Sequence, residues 1–234
     1  MTNPSPRETF NRQLDLLMES VLVQGSMVEQ AILRAVQALE HKDVKTAALI
    51  YEEDEKINQK RYEIEAETLR LIATQQPMAR DLRFLAAVLE INTELERIGD
   101  YAKGIARITI LIGDSSMAIP ATDLQRMAEL GLSMLHRALG AFVERDVFVA
   151  ESIPREDDEV DDLYNCIHRE LIQQVIVDPS RVDDANHIMW AAHNLERMAD
   201  RVTNICERIV FMVTGEMKEM DVSTDEYQRM VSEK

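Results

Sequence analysis

Leu95-Glu96-Arg97-Ile98-Gly99-Asp100 returns in the second half of the chain as Leu195-Glu196-Arg197-Met198-Ala199-Asp200, and Ile105 is matched by Ile205 at the same spacing. Upstream, Glu53-Asp54-Glu55-Lys56-Ile57-Asn58 answers to Glu156-Asp157-Asp158-Glu159-Val160-Asp161, and Glu67-Thr68-Leu69 to Glu170-Leu171-Ile172. The first match is offset by 100 residues and the upstream ones by 103, so the intervening turns differ by about three residues. Matches held in order over such distances mark an internal repeat. Around the first stretch, Leu82, Leu85, Ala86, Leu89, Leu95, Ile98, Ala102 and Ile105 recur at steps of three and four. That spacing lays them along one face of a helix. The repeated unit is therefore helical and amphipathic.

Helix breakers are scarce and fall where such units should end. The chain has 7 Gly and 6 Pro among 234 residues, roughly half of average usage. This excludes a sandwich or barrel of short strands. Ser5-Pro6-Arg7-Glu8 spells a capping box with Pro at the first helical position. A first helix is expected to run to about 41, a second from the Asp43 cap to about 74, and a third over 78–112. Gly113-Asp114-Ser115-Ser116 and Pro120 interrupt the pattern. Helices over 123–144, 146–177 and 181–214 follow, with Asp178-Pro179-Ser180 as a turn and Gly215 at a C-terminal cap. Segments near 30 residues are about 45 Å long and must pack side by side. The expected fold is all-α: two tandem, pseudo-repeated three-helix bundles of six long antiparallel helices. Their bounds are 7–113 and 121–215, with a polar tail over 216–234.

Composition narrows the function. Hydrophobic residues make up 46% and aromatics only 5%, so the core should be aliphatic, with Met27, Met78, Met127, Met134, Met189, Met198 and Met212 as filler. Lys and Arg number 26 against 43 Asp and Glu, a net charge of −17. Nucleic-acid binding, which needs a basic surface, is excluded. Cys166 and Cys206 form no C-x-x-C pair and read as inert thiols. The N-terminus lacks a basic segment followed by an apolar one, and the apolar runs 108–112 and 209–213 are far shorter than a membrane span. A cytoplasmic protein is expected.

The repeats carry acids in register. Glu96 and Asp100 stand four apart and share a helical face, as do Glu196 and Asp200, and one helix earlier Asp54 with Asn58 and Asp157 with Asp161. Like charges at this spacing cost an isolated helix a few tenths of a kcal/mol. If the second and third helices of each unit are antiparallel, each acidic pair meets its partner on one outer face. Oxygen-rich sets of this kind suit hard cations, or Fe and Mn. The same pattern also fits a duplicated seam of salt bridges without metal, with Arg97 and Arg197 pairing locally with Asp100 and Asp200.

Other chemistry is weaker. Asp157-Asp158-Glu159-Val160-Asp161 spells a D-D-x-x-D run that in helical prenyl synthases holds magnesium pyrophosphate. It supports the alternative of a Mg-dependent phosphate-ester or pyrophosphate enzyme. The 54–58 counterpart does not spell it. None of His41, His136, His168, His187 and His193 has the upstream Glu of a ferritin-like di-iron site. His193, one turn before Glu196, is the single histidine placed as an auxiliary ligand. No phosphate loop, H-E-x-x-H or nucleophile elbow occurs, so no catalytic residue is assigned.

The doubled Leu-Glu-Arg-x-x-Asp with its upstream acids resembles the PhoU family of phosphate-specific transport accessory proteins. The strongest stretches are Asp81-Leu82-Arg83 with 95–100, then 157–163 and 193–205, closing on Thr214-Gly215-Glu216. The resemblance implies two similar three-helix bundles whose E/D-x-x-x-D motifs bind metal: Fe, Zn, Mn or Mg. By position these fall on Asp54 with Asn58, Glu96 with Asp100, Asp157 with Asp161, and Glu196 with Asp200. Asn58 stands where an acid is common and Gly104 where Asn is usual, whereas Asn204 keeps it. This implies weaker metal binding in the first half, or none. The family holds off the phosphate-starvation response when phosphate is plentiful, as an adaptor and not a catalyst. It implies contacts with the sensor kinase PhoR and the transporter ATPase PstB, a homodimer, and membrane contact only through partners.

Overall fold

In the computed structural model, residues 5–220 are described, and among them there is no strand. The helices are α1 (Pro6–Glu40), α2 (Val44–Gln75), α3 (Arg80–Ile112), α4 (Ala121–Glu144), α5 (Val147–Ser152), α6 (Asp157–Val177) and α7 (Val182–Thr214). They form six rods, of which α5 and α6 are one, broken near its start. The tail beyond 220 lies outside the described residues.

The caps form as the sequence implies. Ser5 Oγ accepts from the Glu8 N–H at 3.2 Å, and Glu8 Oε2 accepts from the Ser5 N–H at 2.7 Å. Asp43 Oδ1 accepts from the N–H groups of Lys45 and Thr46. Gly215 closes α7 at φ 84°, a left-handed conformation open to glycine, and its N–H donates to the Phe211 carbonyl. The third helix starts at Arg80 and not at 78, because Ala79 stands at φ 41°.

One helix departs from expectation. The segment expected over 146–177 breaks at a 3₁₀ turn, Ile153–Glu156. Pro154 has no N–H to give the turn before it, and its ring crowds that turn's carbonyl. The break makes Asp157 the first residue of a new helix, with Asp158 and Glu159 beside it. Acids are favoured there by the helix dipole.

α3 and α7 lie antiparallel along the middle of the molecule. Their cross-contacts are symmetric about Gly99 and Ala199: Glu94 meets Asn204, Asn194 meets Gly104, and the Arg197 guanidinium covers the Tyr101 ring at 5.7 Å. The duplicated stretch thus marks a pseudo-twofold axis. Leu85, Ile91, Leu95, Ile98 and Ile105 of α3 share one buried core with Ile188, Leu195, Met198, Ile205 and Ile209 of α7. α1 and α2 pack on α3, α4 and α6 pack on α7, and α1 meets α4. At that last seam a Cβ on Gly25 would stand 2.4 Å from Leu139 Cδ1, so the two helices approach at a bare backbone. Among the described helices, only α1 is long and apolar enough for a membrane crossing, with mean hydropathy 1.2 over its most apolar window. Its Leu17, Val21, Val28, Ile32 and Leu39 belong to the bundle core.

The symmetry sets Gly104 against Asn194. A Cβ there would stand 2.9 Å from Nδ2 of Asn194, the movable end of a half-buried side chain. Gly104→Ala should gain about 1 kcal/mol of helix propensity and lose part of it in displacing Asn194. A rise in Tm of about 1–3 °C is expected by calorimetry. A fall would show that Asn194 is fixed.

Candidate metal centre

Each half brings its two acidic pairs together by the same antiparallel crossing. In the first half, Asp54 of α2 faces Glu96 and Asp100 of α3. Burial raises the pKa of Glu96, with repulsion from Asp100 and Asp54 adding to it, and burial with repulsion from Asp54 raises that of Asp100. Basic groups stand among these acids. Lys103 Nζ donates to Oδ2 of Asp54 at 2.7 Å, and Asn58 Nδ2 donates to the same oxygen at 3.0 Å. Arg61 Nη1 lies 3.7 Å from Glu96. Asp54 is only 4% exposed, and the hydrogen bond to it raises the Lys103 pKa.

The second half has the acids without these cations. At the positions of Lys103, Asn58 and Arg61 in the repeat stand Thr203, Asp161 and Tyr164. Burial pushes the Asp157 carboxyl up to about 7, helped by repulsion from Asp200, Asp161 and Glu196. Burial, then Asp200, raises Glu196, whose Oε2 is 3.0 Å from Nδ1 of His193. Thr203 is 7% exposed, and neither its Oγ1 nor Oδ1 of Asp157 has a hydrogen-bond partner among the described residues. Asp157, Asp200, Thr203 and Asn204 line a cavity of about 180 Å³ under Met220. Arg201 on its wall reaches away to Glu94, Nη1 to Oε2 at 3.4 Å.

This second set suits a cation. Its donors are all oxygen, Asp161 is exposed to solvent, and among the described residues Oδ1 of Asp157 and Oγ1 of Thr203 lack hydrogen-bond partners. Among the described residues no three His, Cys, Asp or Glu side chains are already drawn into a ligand shell. Arg97 Nη1 turns back to Glu94 at 2.9 Å, and the Arg197 guanidinium covers the Tyr101 ring.

The model of the PhoU domain matches the chain twice, over residues 22–109 and 124–209. The chain belongs to the PhoU family. A PhoU homolog of the phosphate-specific transport system from Streptococcus pneumoniae is 34% identical over 215 residues, covering 92% of this chain and 100% of the relative. One from Clostridium acetobutylicum is 36% identical over 219 residues, covering 93% and 99%. The PhoU crystal structure from Streptococcus pneumoniae aligns with a TM-score of 0.83 at 34% identity, covering 89% of this chain and 99% of that one. PhoU from Pseudomonas aeruginosa aligns with 0.83 at 32%, covering 88% and 100%. The Streptococcus pneumoniae and Clostridium acetobutylicum relatives are named as accessory or regulatory proteins of phosphate transport.

Lys103, Arg61 and Thr203 are the site residues that the sequence reading of this PhoU-family chain missed. The signal was available. Laying the repeats over one another at the two offsets sets Lys103 against Thr203 and Arg61 against Tyr164.

Proposed function

We propose that this chain regulates phosphate transport as an adaptor between a phosphate ABC transporter and its sensor kinase, with a metal held by the second-half carboxylates. The match to phosphate-specific transport accessory proteins over nine-tenths of the chain carries the regulatory part. By resemblance the partners are PhoR and PstB, and the action is to hold the starvation response off. Asp157 and Asp161 of α6 with Glu196 and Asp200 of α7 would hold the metal, and Thr203 stands beside them. A bound cation supplies charge neutralisation and ties α6 to α7. The protein's own part is to keep these acids close and, at Asp157 and Glu196, partly desolvated.

Deleting the gene should switch on phosphate-starvation transcription in high phosphate, and the intact chain should restore repression. Unchanged transcription would refute the regulatory role. Elemental analysis of the purified protein for Fe, Zn, Mn and Mg tests the metal separately. Metal retained by the parent and lost in the Asp157→Asn, Asp200→Asn double variant is the expected result.

A further inference from the structure

The pseudo-twofold axis pairs every position along the α3–α7 seam with a counterpart, and at one pair a carboxylate is kept on one side alone. Oε1 of Glu94 accepts from Arg97 at 2.9 Å, while Oε2 accepts from Arg201 at 3.4 Å and from Asn204 at 3.3 Å. At an offset of 100 residues these four positions become Asn194, Arg197, Tyr101 and Gly104. The guanidinium is kept: Arg197 is exposed and lies over the Tyr101 ring at 5.7 Å. The acid becomes the amide of Asn194, and the residue opposite it becomes a glycine. A Cβ on Gly104 would stand 2.9 Å from Nδ2 of Asn194, so the amide rests against bare backbone. We propose that this side of the seam docks a carboxylate from outside, carried by an acidic segment of a partner protein.

Glu94 shows what the arrangement holds, a carboxylate set against guanidinium and amide donors. A guanidinium has five N–H donors, so a neighbour on its own helix leaves Arg197 able to take an incoming carboxylate. Glu196 and Asp200 belong to the α6 side, where they repel Asp161 and Asp157. The register that sets Glu94 against Asn204 and Asn194 against Gly104 carries Trp190 to the level of Ile108. Trp190 is the chain's one tryptophan and is 62% exposed. Exposed Trp and Arg on one face are the side chains that most often anchor a protein interface. Trp190 lies two turns from Arg197, about 10 Å along α7. A small anion would engage Arg197 alone, whereas an extended segment covers that distance in about three residues. The occupant is therefore an acid with an apolar side chain three positions away. The contact is separate from the acidic sets and does not depend on metal.

The test uses the full chain in chelator and the blocked peptide Leu-Ala-Ala-Glu-Ala-Ala-Leu, whose symmetry about Glu serves either chain direction. Trp190 fluorescence and titration calorimetry read binding up to millimolar peptide. The counterpart with Gln for Glu should bind roughly tenfold more weakly, the loss of one charge-assisted contact. Arg197→Ala should weaken the Glu peptide by the same factor and leave the Gln peptide unchanged. Asn194→Glu, which copies Glu94 to the other side of the axis, should exclude the Glu peptide, and Asn194→Gln should still bind it. Equal binding of the two peptides overturns the proposal, as does full binding to Arg197→Ala or Asn194→Glu. No binding to the parent chain overturns it too. Inorganic phosphate that displaces the Glu peptide and itself depends on Arg197 assigns the site to a free anion and overturns the docking. If Asn194→Glu does not melt cooperatively, Arg197→Ala, at an exposed side chain, decides alone.

Discussion

In chelator at pH 7.5, Asp157→Asn melts above the parent chain, and the gap closes as the pH is lowered to 5. The carboxyl of Asp157 is raised to about 7 in the folded protein by burial and by Asp200, Asp161 and Glu196, against about 3.9 in an unfolded chain. Between these values the native state holds a proton that the unfolded state has lost. Stability from this group is therefore full below about pH 4, declines as the pH rises toward 7, and is level above. A shift this size corresponds to about 4 kcal/mol if taken whole. The site is partly open to water and its acids titrate together, so about 1–2 kcal/mol, or roughly 2–6 °C, is expected. Added Mn²⁺ reverses the order. At a hundredfold excess over its dissociation constant a ligand stabilises by about 2.7 kcal/mol, and Asp157→Asn forfeits that gain. Scanning calorimetry from pH 5 to 8, with chelator and with Mn²⁺, reads both effects. A parent-minus-variant difference that favours the parent at pH 7.5 in chelator would show that the acids are not in conflict.

The parts of the structure that were legible and those that were not divide on a physical line. Repetition, three-four spacing and caps are properties of a single helix, and from them came the helix ends, the paired rods and the four candidate ligand pairs. Pro154 leaves no mark on the periodicity, because apolar residues recur on both sides of it, at Val149, Ala150 and Ile153 and again at Val160 and Ile167. The pattern records which face is buried, whereas the break depends on one missing N–H. Lys103 was illegible for another reason. Three residues after Asp100 it looks like a surface partner within its own helix, but its side chain crosses to Asp54 on α2. Gly104 was visible as a departure, yet the group that a Cβ there would meet is Asn194, ninety positions away and adjacent only through the pseudo-twofold axis. The identities shared by the repeats gave the scaffold. The differences between them held the chemistry.

Glu94 sits two residues before an expected ligand and drew no notice in the sequence, yet its removal is expected to cost more than that of any carboxylate in the acidic sets. It is 6% exposed at the α3–α7 seam. Oε1 accepts from Arg97 at 2.9 Å, while Oε2 accepts from Arg201 at 3.4 Å and from Asn204 at 3.3 Å. Glu94→Ala leaves Arg201 in a mostly enclosed position, with an Nε that already lacks a partner among the described residues. Breaking a buried pair from one side costs about 3–5 kcal/mol. Arg97 is half exposed and loses little, so about 2–3 kcal/mol is expected, or a fall in Tm of roughly 4–10 °C. Because α3 and α7 share one core, the loss should appear as a single transition moved down in temperature, with no early phase from either half. Replacing both Glu94 and Arg201 with Met should recover most of it, since a matched apolar pair strands no charge. If Glu94→Ala changed Tm by less than a degree, the seam would be held by its apolar contacts alone. A double variant as unstable as the single one would instead assign the loss to packing around Asn204, with the charge of Arg201 playing no part.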